Sequence, residues 1–200
     1  MKILHLDSSI LMDKSVSRAL SSAVVDRILS QHPNAEVDRL DLVADEIPHL
    51  KAANLAGLSA GAQGDDRGAP AKDYIGRLLS ADVVVMGVAL YNWSVPSQLK
   101  AWLDRVVVAG RTFRYSEHGA VGLAGGRRLI ITISRGGSYT ENSPIRFLEH
   151  AETYLVSVFK ILGITEIDII AADGVAVSPE MREQAIKSAT ASIQKLSFVD

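Results

Sequence analysis

The sequence predicts an α/β fold: a five-stranded parallel sheet in the order 2-1-3-4-5, with helices on both faces. Three observations predict it. Strand-like apolar segments at Lys2–Asp7, Glu36–Leu42, Val83–Val88, Arg127–Ser134 and Glu166–Ala172 alternate with segments of helical periodicity, the pattern of parallel strands joined by helical crossovers. The run Val83-Val84-Val85-Met86, resuming at Val88, is nearly unbroken, as suits a strand buried on both faces. The 200 residues, 48% hydrophobic and 22% charged, suit one domain, 1–200, with a large core. In that strand order the direction of winding reverses between strands one and three, and ligands bind in the crevice at such a point.

The elements follow in order. The first strand starts almost at residue 1, and a hydroxyl-rich loop, Ser8 to Ser17, comes after it. The next helix turns Leu20, Ala23, Val24 and Ile28 inward and ends near Gln31–Asn34. Strand two, Glu36–Leu42, is more polar than strand three and is placed nearer an edge. Val43–Arg67 is the least regular stretch. Asp45-Glu46-Ile47-Pro48 is a turn signal, and Ser59–Pro70, rich in Gly, Ala and Asp, reads as a solvated connection. Ala71–Ser80 is a helix with Tyr74, Ile75, Leu78 and Leu79 inward.

After strand three, Tyr91-Asn92-Trp93 forms a turn. Ser94 is read as the cap of the next helix and Pro96 as part of its first turn, where a missing N–H costs nothing. Leu99, Trp102, Leu103 and Val106 then share one face, and Gly110 closes the helix. Thr112–Tyr115 alternates as a short strand, turned by Glu117-His118-Gly119, and Gly119–Gly126 leads into strand four. Ile145–Leu162 is read as a single helix that buries Leu148, Ala151, Leu155, Val158, Phe159 and Leu162, with Gly163 stopping it. Ser178-Pro179-Glu180 opens the last helix with cap, proline and first-turn acid. Its inner face is Ala185, Ile186, Ala189, Ile193 and Leu196.

Composition narrows the function. A net charge of −2 offers no strong field for nucleic acid or an anionic membrane. There is no cysteine, so disulfides, thiolate nucleophiles and thiolate metal sites are excluded. The start, MKILHLDSS, lacks the apolar core of a signal peptide, and no run approaches the ~18 apolar residues of a spanning helix. The expected location is cytoplasmic. The five histidines show neither HxxxH nor HExxH spacing, so no metal site is expected. There is no Gly-x-Ser-x-Gly elbow.

Three groups carry chemistry. Ser9, Ser15, Val16 and Ser17 lie at the loop and start of the first helix, where free N–H groups, a partial positive charge and hydroxyls suit a phosphate monoester. The loop has neither GxxxxGK[ST] nor GxGxxG, so it is built for one phosphate, as flavin mononucleotide (FMN) carries. Leu90, Tyr91, Asn92 and Trp93 offer an aromatic platform and an amide to a flat ring system. Ser134, Arg135, Gly136 and Gly137 let backbone N–H groups come close to the edge of such a ring. No acid–base pair or nucleophile can be nominated, so no catalytic residue is assigned.

The segments SSI…SVS, LYNW-SVPSQLKAWLD, RTFRYSEHGAVGL and ISRGG, in this order, resemble the bacterial FMN-dependent azoreductases and quinone reductases, over nearly the whole chain. The resemblance implies a flavodoxin-like fold and a homodimer with one FMN per subunit, held by the three groups just named. It implies NADH or NADPH as co-substrate, and quinones or aromatic azo compounds as acceptors in a ping-pong order. Relatives often have Met-Tyr-Asn-Phe where this chain has Leu90-Tyr91-Asn92-Trp93. Ser138-Tyr139 stands where relatives vary and bears on substrate choice. Tyr154 and Phe159 are expected to face the second subunit. The alternative is a flavodoxin-type electron carrier or an FMN reductase. Asn92→Ala is expected to weaken FMN retention more than Asn54→Ala, by loss of edge hydrogen bonds worth ~1 kcal/mol each.

Overall fold

In chain order the elements are β1 (Lys2–Asp7), α1 (Val16–Gln31), β2 (Glu36–Asp41), α2 (Tyr74–Ser80), β3 (Val83–Ala89), α3 (Ser97–Val106), β4 (Phe113–Ser116), β5 (Gly119–Gly122), β6 (Arg128–Arg135), α4 (Ala151–Ile161), β7 (Glu166–Asp173) and α5 (Pro179–Gln194). This computed structural model describes residues 1–52 and 73–198. The Ser59–Pro70 connection and Asn54 lie outside the described residues.

The main sheet runs β2-β1-β3-β6-β7, all parallel. This is the expected 2-1-3-4-5 order with β6 and β7 as strands four and five, and polar β2 lies at an edge. Every residue of β3 is buried. Its alternate side chains feed two cores. Val84, Met86 and Val88 point toward α2, α3 and α4, with Trp102 and Phe159 among the fully buried side chains. Val83 and Val85 point the other way, against Leu20, Val24, Val25 and Ile28 of α1 and Ala189 and Ile193 of α5. A period of two on a strand and 3.6 on helices therefore places the layers.

Five expectations need correction. Ser94 does not cap α3, which starts at Ser97 with Pro96 at its cap position and no side-chain cap. Ser94 instead closes a tight turn with Tyr91, N–H to carbonyl in both directions at 3.0 and 3.1 Å. Pro96 holds the chain extended after that turn. Gly110 does not end α3, which stops at Val106. It takes φ +82° in the turn that follows.

Ile145–Leu162 is not one helix: a single 3-10 turn at Arg146–Leu148 precedes α4. Leu148 is half-buried, while Glu149 is buried and its carboxylate accepts the Glu152 N–H at 3.0 Å. That bond satisfies a first-turn donor and sets where α4 begins. Phe159 faces inward, 6.5 Å from the Trp102 ring centre, so it cannot meet a second subunit. Finally, Gly119–Gly122 is itself a strand, antiparallel to β4.

That hairpin docks on the end of α4 through glycine. A Cβ on Gly122 would stand 2.2 Å from Gly163 N and 2.3 Å from Leu162 C, both rigid backbone. Gly122→Ala should lower stability by roughly 1–3 kcal/mol, read as a shift in urea midpoint at unchanged slope.

Candidate functional site

The loops that follow β1, β3 and β6 meet at the carboxyl ends of these three adjacent strands. Ser8 is fixed on β3: its N–H and hydroxyl both donate to the Gly87 carbonyl, at 3.2 and 2.8 Å. Ser9 Oγ lies 3.0 Å from Tyr91 Oη, so the first loop touches the second. Leu90 N–H donates to the Ser134 carbonyl at 2.9 Å, so the second is tied to the third. Thr132 Oγ1 of β6 donates to the Ser17 carbonyl at 3.1 Å.

α1 reaches this close to the sheet because β3 carries Gly87. A Cβ there would stand 2.4 Å from Asp7 Oδ1, 2.9 Å from Ser21 Oγ and 3.1 Å from Ser17 O.

Ser15 is the cap of α1, its hydroxyl accepting the Arg18 N–H at 3.3 Å and lying 3.1 Å from Ser17 Oγ. Ser9, Ser15, Val16 and Ser17 are all buried. The N–H groups of Val16 and Ser17, the first two of the helix, have no partner among the described residues. A buried donor left so is costly, and a single anionic group answers it.

The third loop has the same character. The carbonyls of Arg135, Gly136 and Gly137 accept from Val175, Ala176 and Gly174 at 3.1, 3.1 and 2.9 Å, while the N–H groups of Gly136 and Gly137 have no partner among the described residues. The donors that a phosphate and a ring edge require are thus present and unused, and the residues fit FMN on that ground.

The second loop is a two-residue turn with Asn92 at φ +47° and Trp93 at φ +65°. Asparagine tolerates the left-handed region, whereas a bulky tryptophan there is an outlier. Asn92 and Trp93 are exposed, Leu90 and Tyr91 half-buried. A cavity of about 830 Å³ opens beside the turn, lined by Ile10, Leu90, Tyr91, Asn92, Lys100 and Tyr154 among others. Neither Ser15–Ser17 nor Ser134–Gly137 lines it. The hydrogen bonds therefore join the three loops, and the cavity joins only the first two.

Two charge networks support the loops, and the sequence did not mark them. Arg135 was expected as a site residue. Its guanidinium points away from the loop, into an acidic nest: Asp173 at 3.1 Å, Glu149 at 3.5 Å, and Glu152. Burial opposes its charge, but Asp173, Glu149 and Glu152 outweigh burial and hold its pKa above the usual value. The Arg135 carbonyl is taken by the Val175 N–H, and of its side chain only the buried Nε has no hydrogen-bond partner among the described residues. Tyr139 is buried, its N–H donating to Asp173 Oδ2 at 3.3 Å, so its ring backs the glycine loop.

The other network lies under α1. Arg39 Nη1 donates to His5 Nδ1 at 3.2 Å. A guanidinium can only donate, so the His5 proton sits on Nε2, 2.9 Å from Ser21 Oγ, and Ser21 donates on to Asp7 Oδ1 at 2.8 Å. A second proton on His5 would face Arg39. Burial first, then Arg39 and Arg18, lower its pKa to about 4. The 3.3 Å approach of His5 to Asp7 is therefore between a neutral ring and the carboxyl group.

His5 binds fewer protons folded than unfolded between about pH 4 and 6.5, so its contribution to stability is complete above 6.5 and is lost as pH falls through that window. The shift amounts to about 2 kcal/mol by pH 5. Asp7, its pKa raised mainly by burial, works in the opposite sense. His5→Gln should remove the histidine's share. Urea denaturation at pH 5 and pH 7 should show a stability difference smaller, or less positive with rising pH, in the variant by about that amount.

The fold and the crevice define a class. The sequence profile described as a flavodoxin-like fold matches residues 1–196. Curated relatives named FMN-dependent NADH:quinone oxidoreductase include one from Methylorubrum populi, 50% identical over 196 residues, covering 94% of this chain and 95% of that one. Another from Stenotrophomonas maltophilia is 48% identical over 200 residues, covering 100% and 98%. Among solved structures, an FMN-dependent NADH-azoreductase of Bacillus anthracis, in complex with FMN, superposes with TM-score 0.82 at 25% identity, covering 98% and 99%. The chain belongs to the flavodoxin-like family and, within it, to the FMN-dependent NADH:quinone oxidoreductases and azoreductases.

Proposed function

We propose that this chain binds one FMN at the joined loops after β1, β3 and β6, and uses NADH to reduce quinones and to cleave aromatic azo compounds to amines. The observation that carries the reading is the pairing of unused N–H groups at buried Val16 and Ser17 with unused N–H groups at half-buried Gly136 and Gly137, across loops joined by direct hydrogen bonds. The chemistry FMN supplies when bound is two-electron transfer from a reduced nicotinamide to an acceptor.

The protein's own part is to hold and orient. The start of α1, with Ser15 and Ser17, takes the phosphate. Tyr91, Asn92 and Trp93 flank the ring, and the Gly136 and Gly137 N–H groups meet its edge, where they favour negative charge. No side chain here needs to move a proton by itself.

The purified chain should be yellow. Adding NADH without air should bleach the visible band, and NADH should be consumed steadily with menadione and no protein partner. A colourless protein, or one that bleaches but turns over only with a partner, would overturn the reading. The second outcome would indicate a flavodoxin-type carrier. Parallel assays with NADPH give the nicotinamide preference.

The proposed assembly is a cytoplasmic homodimer. Ile10, Leu11 and Met12 beside Ser9, Trp93 on the turn, and Phe147 before α4 are exposed apolar side chains, and a second copy is their expected cover. Sedimentation should give twice the chain mass at micromolar concentration.

A further inference from the structure

We propose that Arg18 and Asp41 act together as a positioning clamp that shapes the phosphate loop and so sets selectivity for a phosphorylated flavin. The inference rests on the FMN reading above and adds residues that the reading does not use.

Arg18 is the third residue of α1, immediately after Ser17. Its own N–H is spent on the Ser15 cap. Its side chain then folds back over the loop. Nε donates to the Ser9 carbonyl at 2.9 Å, and the two terminal nitrogens donate to Asp41 Oδ2 and Oδ1 at 2.6 and 2.7 Å. Asp41, the last residue of β2, is itself held: Oδ1 accepts from Val43 N–H at 3.0 Å and Ala44 N–H at 3.4 Å. A planar fork thus spans three separate pieces of backbone: the loop at Ser9, the helix start, and the end of β2.

Ser9 is the point where this matters. Its carbonyl is fixed by Arg18 while its hydroxyl lies against Tyr91. Rotation of that peptide would move both the Ser9 hydroxyl and the chain leading to Ser15. The ion pair is partly exposed, so its worth as a stabilising bond is small. Its consequence is geometric. Lysine cannot reproduce it, because one ammonium cannot serve Ser9 and both Asp41 oxygens in a plane. Asp41 also meets the guanidinium charge, so the clamp orders the loop without leaving a bare cation to attract any anion.

The test is the ratio of the riboflavin and FMN dissociation constants for the flavin-free full chain, by fluorescence titration. Riboflavin keeps the ring and lacks the phosphate. Arg18→Met should weaken FMN binding roughly tenfold or more and leave riboflavin binding unchanged. Arg18→Lys should recover little of the loss. Asp41→Asn should act in the same direction, and the double variant should be no worse than Arg18→Met alone. Equal losses for FMN and riboflavin, full rescue by lysine, or an unchanged ratio would each overturn the clamp while leaving FMN as the cofactor. A wild-type chain that binds neither flavin overturns both readings.

Discussion

Arg135→Met should cost the protein about 3 kcal/mol of folding stability, the largest loss expected of any single substitution considered. Glu149 has no exposed side-chain surface, and Arg135 lies 3.5 Å from it in a site it shares with Glu152 and Asp173. Removing the cation leaves three carboxylates facing a methionine. Breaking one side of a buried ion pair typically costs 3–5 kcal/mol, because the remaining charge stays buried. Arg146, 3.2 Å from Glu149 and more exposed, moderates that loss. Glu149→Gln added to Arg135→Met should recover part of it, since an amide tolerates burial without a cation. The recovery is bounded because the Glu149 carboxylate also pairs with Arg146, a charge interaction the amide gives up, while an amide oxygen can still accept the Glu152 N–H. A double-mutant cycle in urea gives the coupling directly. Additive losses would show that Arg135 and Glu149 are stabilised independently.

What the sequence disclosed is what periodicity and turn chemistry encode. Val83–Ala89 could be read as a doubly covered strand because no polar side chain interrupts it, and Leu99, Trp102, Leu103 and Val106 because they share one helical face. The switch point followed from strand order, and with it the meeting of Ser9 with Tyr91. Polar residues with two possible partners defeated the same reasoning. Ser94 carries a cap signature, yet its backbone is committed to the turn with Tyr91. Glu149 sits among Arg146, His150 and Glu152 and looks like solvated surface until Arg135, brought in by β6, is placed beside it. β5, Gly-Ala-Val-Gly, has too little side chain to declare itself a strand. Arg18, next to a serine that was singled out, gives no sign of its target, because Asp41 is 23 residues further along the chain. Side-chain partners of that kind depend on the tertiary fold and leave no local periodicity to read.

Trp93→Gly should raise stability and lower turnover together. Tyr91 and Ser94 close a two-residue turn whose central residues, Asn92 and Trp93, both have positive φ. The residue pair that such a turn favours is Asn-Gly. A non-glycine residue in the left-handed region carries a penalty of about 1–2 kcal/mol, and glycine returns roughly 0.5–1 kcal/mol of that through its freer unfolded chain. The indole is half-exposed, so little core packing is lost, and the Trp93 carbonyl, which accepts the His150 N–H at 3.0 Å, is backbone and survives the change. The net expectation is a gain of about 0.5–1 kcal/mol in urea denaturation. The strain is retained at the mouth of the crevice, where strained residues gather when they serve a ligand. An indole held there offers a face to flat aromatic molecules, a contact worth about 0.5–1.5 kcal/mol beyond its area. With its buried area also lost, kcat/KM for menadione should fall roughly tenfold, about 1.4 kcal/mol. A fall in both stability and turnover would mean that Trp93 packs rather than binds. A gain in stability at unchanged turnover would remove the ring from the acceptor's path and leave the strain without a function.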